Sequence, residues 1–341
     1  MIFCLPMKQT KTATRANKGC DYLQINFKEA ADFLRENDCY HILTHASPDG
    51  DTIGSGFGLC AILRKMGKKA NVYCADELPR RYDFMYEGYE PMDFELQTVV
   101  AVDVADPKLL GKSFAHYADM VALCIDHHIS NTGYAQRTLV EPDAAAACQV
   151  IFKLLSSEKL TECDAQIAKC LYTGIATDTG CFKFDSCSYE THFAAAELMK
   201  FDIGAGKINR RMFDQKSRAR IAVEQHVLGN MEYYFDERCS VAAVSLDDMN
   251  KTGLPADEFE GIAGLTTVLE TVEVGVFIRQ KEEHKFKASL RSTGDIDVSA
   301  ICSKFGGGGH VKAAGCTFET SIEDAKTQIV KAVGEALGEK A

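Results

Sequence analysis

The first two-thirds of the chain alternates short apolar runs rich in β-branched residues with longer stretches whose apolar positions recur at helical spacing. Tyr40–Thr44, Ala70–Cys74, Thr98–Val102 and Met120–Ile125 predict strands, and Phe27–Glu36, Ile53–Met66, Ala144–Ser156, Thr161–Thr177 and Tyr189–Met199 predict helices. Such alternation predicts a parallel α/β sheet with crossover helices. From about Lys207 to Met231, Ile208, Met212, Ile221 and Leu228 stand amid many charges, which predicts a mostly helical connector. Beyond it, Val241–Ser245, Val272–Arg279 and Lys285–Leu290 read as strands, with helices near Asp257–Leu269, Val298–Lys304 and Ile322–Leu337. The expected organisation is a tail over 1–20, a parallel-sheet domain over 21–206, a helical connector over 207–232 and a smaller α/β domain over 233–341. With 341 residues and 46% apolar content the chain can build two cores. It carries no internal repeat.

Composition narrows the classes. A net charge of −11 disfavours a protein that coats long duplexes, because sequence-independent binding to nucleic acid draws on clustered positive charge. Basic residues do cluster locally. Lys207, Arg210, Arg211, Lys216, Arg218 and Arg220 face only Asp214, a pattern divided evenly between a solvated helix face and substrate steering. Arg279, Lys281, Lys285, Lys287, Arg291, Lys304 and Lys312 form a second group, which leans functional. The 14 cysteines are scattered through apolar segments without a C-x-x-C pair, the pattern of buried free thiols in a reducing compartment. The basic residues near the N-terminus follow a short apolar run, the reverse of a secretory signal, so the start reads as a frayed tail or as true initiation at Met7 rather than a transit-like leader. No apolar run is long enough to span a bilayer, and a cytoplasmic location is expected.

Chemistry concentrates at strand ends. His45-Ala-Ser-Pro-Asp49-Gly-Asp51 follows the first strand of the sheet, Asp103 follows Thr98–Val102, Asp126-His127-His128 follows Met120–Ile125, and Asp178-Thr179-Gly180 ends a helical stretch. In open parallel sheets ligands bind outside the carboxyl ends of the strands. A cluster rich in carboxylates and imidazoles and poor in thiolates suits a hard divalent cation and argues against structural zinc. A lone Asp or His at a strand end is ordinary turn chemistry, but several in four motifs do not arise easily from capping. Near the end, Gly306-Gly-Gly-Gly309-His310 would be costly in a packed element, a cost that a ligand-hugging loop would justify.

The types and order of these residues, together with the tail His310-Val-Lys-Ala-Ala-Gly315, resemble the DHH/DHHA1 phosphoesterases, the family of RecJ-like exonucleases, nanoRNases and 3′-phosphoadenosine 5′-phosphate (pAp) phosphatases. The resemblance runs from about Asn26 to the last helix and is specific in combination, with the nanoRNase and pAp phosphatase type matching best. It implies an α/β parallel-sheet DHH domain that holds metal and a smaller α/β DHHA1 domain that grips substrate across a cleft. It further implies two Mn²⁺ ions, one held by His45, Asp49 and Asp103 and the other by Asp51, Asp103, His127 and Asp178, with Asp103 as the bridge. Two metals about 3.5–4 Å apart share a hydroxide and stabilise both oxygens of an in-line phosphoryl displacement. Asp126 is then an acceptor that orients neighbouring imidazoles, and His128 donates to a substrate phosphate oxygen. Arg291, on a preceding strand, works with Gly306, Gly307, Gly308, Gly309 and His310.

The expected substrates are short single-stranded RNA and small nucleotides such as pAp, with no long duplex and no membrane partner. Hydrolysis of pApA or cyclic di-AMP, a RecJ-like exonuclease and a nucleotide-binding regulatory module without turnover are the alternatives, and a homodimer is left open. Gly54-Ser55-Gly56 reads equally as a tight turn presenting amides to the site or as helix capping by Ser55 or Thr52. Thr179-Gly180 reads as a helix stop. His41, His116, His192, His226 and His284 read as surface or satisfied core histidines. Cys148, where relatives often carry a hydroxyl residue, bears on helix packing rather than metal binding. Tyr233, Tyr234 and Phe235 read as interdomain packing before base stacking.

Overall fold

Residues 23–252 and 261–339 are described by a computed structural model, which divides into two compact units, one up to Gln215 and one from Lys216. The expected tail over 1–20 lies outside the described residues. Among the described residues no helix is long and apolar enough to cross a membrane, and the described cysteines are all free thiols.

The first unit is built on six strands: β1 (Leu23–Gln24), β2 (Tyr40–Leu43), β3 (Ala70–Tyr73), β4 (Thr98–Val102), β5 (Val121–Asp126) and β6 (Arg137–Val140). Their order is β1-β6-β5-β4-β2-β3 and every pairing is parallel. The helices are α1 (Phe27–Glu36), α2 (Gly50–Lys65), the short α3 (Gly111–Phe114), α4 (Ala147–Ser157), α5 (Ala165–Asp178), α6 (Tyr189–Met199) and α7 (Ala205–Asn209). Burial of β2 and β4 along their whole length explains their largely apolar sequences, because a parallel strand is covered on both faces. Val100 and Val102 enter the core shared with α1, α2, α4 and α5, while Val99 and Ala101 enter a second core with Leu110, Phe114 and Tyr117. β1, at the sheet edge, and β6, beside it, escape the sequence reading because two and four residues carry too few positions to show a period.

The α2–α5 packing brings backbones together. A Cβ on Gly54 would stand 2.5 Å from the Cys170 carbonyl oxygen, and one on Gly174 would meet Cys148 Sγ and Asp51 Oδ1. Gly54-Ser55-Gly56 is therefore helix interior, neither a turn nor a cap. The cap is Asp49, and the helix begins at Gly50, three residues before the expected start.

His41 departs from a satisfied core histidine. It is buried among Tyr73, Phe94 and Tyr117, with Nδ1 lacking a hydrogen-bond partner and Nε2 3.3 Å from the Tyr73 hydroxyl. Burial pushes its pKa down to about 4. The unfolded chain therefore binds a proton below about pH 6.5 that the folded protein refuses until about pH 4. Stability from this group is complete above pH 6.5 and drains away as pH falls through that window, by up to about 3 kcal/mol. In urea titrations between pH 7 and 4, His41→Phe should flatten this part of the acid limb; an unchanged slope would show that the imidazole protonates without unfolding.

The second unit holds β7 (Glu232–Tyr234), β8 (Cys239–Val244), β9 (Val274–Glu282), β10 (Lys285–Ser292), β11 (Gly308–His310) and β12 (Ala313–Glu319), ordered β11-β12-β10-β9-β8-β7 and antiparallel except at β8–β9. Its helices are α8 (Arg218–Gly229), α9 (Leu246–Thr252), α10 (Val298–Ser303) and α11 (Ile322–Ala336). One sheet face forms a core with α10 and α11, and the other packs Ala242, Val244 and Phe277 against Val223 and Val227 of α8.

Three expectations change here. The segment 207–231 breaks at 215–217, between a π-helical turn over Arg210–Asp214 and α8, so α7 belongs to one unit and α8 to the other. The helix expected at Asp257–Leu269 lies partly outside the described residues; the described part is a 3₁₀ turn over Ile262–Thr267. Tyr234 and Phe235 pack on the core of their own unit, with the Phe235 ring against Gly334.

Candidate metal centre

Four connections deliver the side chains. His45 stands two residues beyond β2, Asp103 directly after β4, and His127 directly after β5, all at carboxyl ends of neighbouring strands. Asp49 and Asp51 open α2, and Asp178 closes α5. Asp103 is only 2% exposed and adopts the left-handed region at φ 58, a conformation uncommon for a residue with a Cβ. Its backbone N–H donates to the Ile125 carbonyl, which ties the turn to β5.

Ligand-type atoms of His45, Asp49 and Asp103 lie within 4.8 Å of one another, as do those of Asp51, His127 and Asp178. His127 Nε2 is 3.9 Å from Asp51 Oδ2, 3.7 Å from Asp103 Oδ1 and 3.5 Å from Asp178 Oδ2; His45 Nε2 is 3.5 Å from Asp103 Oδ2. These separations are too long for hydrogen bonds and suit donor atoms arranged around shared cations. Asp103 Oδ1 is buried without a hydrogen-bond partner, the state of an oxygen reserved for an ion.

The surroundings fix the donors. His45 Nδ1 lies 2.6 Å from the Ala46 carbonyl and His127 Nδ1 lies 3.1 Å from the Ala144 carbonyl. A carbonyl only accepts, so both Nδ1 atoms carry a proton, and Nε2 is the atom each imidazole turns toward the carboxylates. Asp51 is held by backbone amides: Ala147 N–H donates to Oδ2 at 2.6 Å and Cys148 N–H to Oδ1 at 2.9 Å. These open α4, whose N-cap Ala146 has no side chain to cap it, so Asp51 satisfies a helix end that sequence alone leaves bare. The Cys148 thiol lies 3.6 Å from the Asp51 carbonyl and is kept protonated by burial, apart from the ligand groups.

Charge completes the case for cations. Burial, then Asp103 and Asp49, raise the pKa of Asp51 against the lowering pull of His127, and burial, then Asp51 and Asp103, raise that of Asp178. Crowded carboxylates in a low dielectric oppose each other's ionisation, and a multivalent cation reverses that balance. At His45 burial opposes the charged imidazole, yet Asp103 outweighs it and raises the pKa to about 9.

Beside the centre, Asp126 is fully buried. Its Oδ1 accepts from His128 Nδ1 at 2.8 Å and from the His127 backbone N–H, and its Oδ2 accepts from Asn131 Nδ2 at 2.6 Å. The hydrogen bond from His128 holds that imidazole's pKa up at about 9, leaving Nε2–H directed away from Asp126. Two contributors were not legible as such. Asn131 stands five residues beyond Asp126 in a turn, and Thr52, which reads as a cap, donates its hydroxyl to Asp103 Oδ2 at 2.6 Å while touching His45 Nε2.

The glycine segment lies in the second unit. Gly308–His310 is not a loop but the edge strand β11, in which His310 pairs with Ala313 and Ala313 with Arg291, so the three share one sheet face. Gly307 and Gly309 face β12 so closely that a Cβ would stand 2.2 Å from the Gly315 carbonyl and 2.5 Å from that of Ala313. Gly306 needs its left-handed φ of 71. Only Gly308 has neither requirement, so backbone packing explains most of the run. Lys287 lies four residues before Arg291 on the same strand face, whereas Lys304 pairs with Glu335 and Lys285 with Glu282. In the other basic group Arg211 pairs with Asp83 and both Lys216 and Arg220 pair with Glu224.

Residues 40–175 match the DHH family, N-terminal domain, and residues 238–339 match the DHHA1 domain. The chain belongs to the DHH family. It is 33% identical over 87% of its length to the bifunctional oligoribonuclease and PAP phosphatase NrnA of Thermus thermophilus, 90% of which is covered. A probable bifunctional oligoribonuclease and PAP phosphatase NrnA of Streptococcus mutans is 26% identical, with 87% of this chain and 95% of that protein covered. Among solved structures, an exopolyphosphatase-related protein from Bacteroides fragilis superposes with a TM-score of 0.81 at 26% identity, covering 92% of this chain and 95% of that one.

Proposed function

We propose that this DHH-family phosphoesterase hydrolyses short oligoribonucleotides to mononucleotides and pAp to AMP, using two Mn²⁺ ions. The observation that carries the reading is the buried, partnerless Asp103 Oδ1, which stands 3.7 Å from His127 Nε2 while the other oxygen of the same carboxylate stands 3.5 Å from His45 Nε2. The names of the curated relatives support the substrate class. His45, Asp49 and Asp103 would hold one ion, and Asp51, Asp103, His127 and Asp178 the other. Bound there, the metals supply a hydroxide at neutral pH and charge stabilisation for an in-line displacement at phosphorus. Asp103 would contribute to both ions, the two amides of α4 keep Asp51 aligned, and the two Nδ1 bonds keep both imidazoles turned so that Nε2 is offered. His128, oriented by Asp126, donates to a phosphate oxygen. Arg291 and His310, on one face of the DHHA1 sheet, grip a second phosphate of the substrate.

The test is a product time-course on end-labelled single-stranded RNA from two to about twenty nucleotides with Mn²⁺. Turnover should be greatest on the shortest oligomers, and duplexes should be poor substrates. Rates that rise with length through processive digestion would overturn the reading in favour of a long-strand exonuclease.

A further inference from the structure

One aromatic side chain beside the metal centre is left outside every core. The turn after Asp178 runs through three consecutive left-handed residues, Gly180, Cys181 and Phe182, two of them with a Cβ. Such backbone persists only where its surroundings over-determine it. Here they do: the buried Thr179 accepts the Lys183 and Phe184 amides at its carbonyl and the Phe182 amide at Oγ1, while its own hydroxyl donates to the Ile175 carbonyl. Phe182 turns inward, stacked on His192 and near Tyr172. Phe184 turns outward and is 57% exposed. The far edge of its ring lies against Gly180, where even a Cβ would stand 2.5 Å from Cζ, so the ring is seated two residues from Asp178. Ile129, next to His128, is 84% exposed, which puts a second apolar group on the rim of the same centre.

An isolated exposed phenylalanine is unremarkable. A rigidly seated one beside phosphate-processing groups has a chemical use, because every nucleobase offers a π-face and stacking on an aromatic ring tolerates any sequence. We infer that Phe184 is the platform on which a substrate nucleobase stacks while its adjoining phosphate lies among Asp103, His127 and Asp178. The inference rests on the nucleotide-hydrolase reading above and adds the residue that would recognise a base without choosing which.

The decisive measurement compares wild type, Phe184→Ala and Phe184→Tyr on pApA and on the same dinucleotide lacking both bases. Phe184→Ala should lose about tenfold or more in kcat/KM on pApA, mainly through KM, and far less on the abasic compound, while Phe184→Tyr stays near wild type. Equal losses on the two substrates, or no loss on pApA, would overturn the platform. Independently of turnover, calorimetry with Mn²⁺ should find that wild type binds AMP more tightly than ribose 5-phosphate and that Phe184→Ala erases the preference. Absence of that preference in wild type would also overturn it. A wild type that shows the preference yet hydrolyses no oligoribonucleotide would instead remove the hydrolase reading.

Discussion

Asp103→Asn should lower kcat on pApA by at least about a hundredfold, because losing the shared negative charge removes several kcal/mol of stabilisation from a two-metal transition state. The fold should survive. Asparagine tolerates the left-handed backbone that Asp103 adopts, and its carbonyl oxygen can still accept the Thr52 hydroxyl. The substitution also relieves the repulsion from Asp103 that, after burial, raises the pKa values of Asp51 and Asp178. The metal-free variant should therefore melt no lower than metal-free wild type, while its stabilisation by added Mn²⁺ shrinks. Retention of more than about a tenth of wild-type kcat would contradict a bridging role, since a tenfold loss corresponds to only about 1.4 kcal/mol.

Arg291→Ala should divide substrates by what they offer beyond the scissile group. A charge-assisted contact to phosphate is worth about 1.5–3 kcal/mol, so kcat/KM on pApA should fall by about tenfold to a hundredfold or more. Bis-p-nitrophenyl phosphate, with no second phosphate, should lose far less. The expectation follows from the register that sets Arg291, Ala313 and His310 in one row of the C-terminal sheet, in a unit separate from the metal-ligand groups. Equal losses on both compounds at saturating Mn²⁺ would mean that Arg291 serves the fold or the metal centre and that the division of labour is wrong.

The sequence was most legible where burial is two-sided. β2, β4 and β5 are largely apolar runs, and the residues that follow them, His45, Asp103 and His127, are the ones the sheet brings together. It was least legible where the determining partner is backbone. Nothing in Ala144, Ala147 or Cys148 advertises that the carbonyl of the first and the amides of the other two orient His127 and Asp51, and Asn131 acts through a turn that no periodicity marks. The glycine run misled in a related way. Its composition signals conformational freedom, but Gly307 and Gly309 are needed for close approach to β12, a contact visible only once the strands are paired.

Because the carboxylate of Asp51 closes the open end of α4, the start of that helix and the catalytic pocket are not separate investments of the sequence. Fraying of the first turn of α4 would free the Asp51 carboxylate, and a cation held by Asp51 would anchor that turn. The backbone amides of Ala147 and Cys148 are thus built-in reporters. Their hydrogen-exchange protection should track occupancy of the pocket more than 90 residues away in sequence. It also means that Asp51 cannot be exchanged for another ligand type without re-solving the helix end, which narrows how this pocket can be redesigned for a different metal.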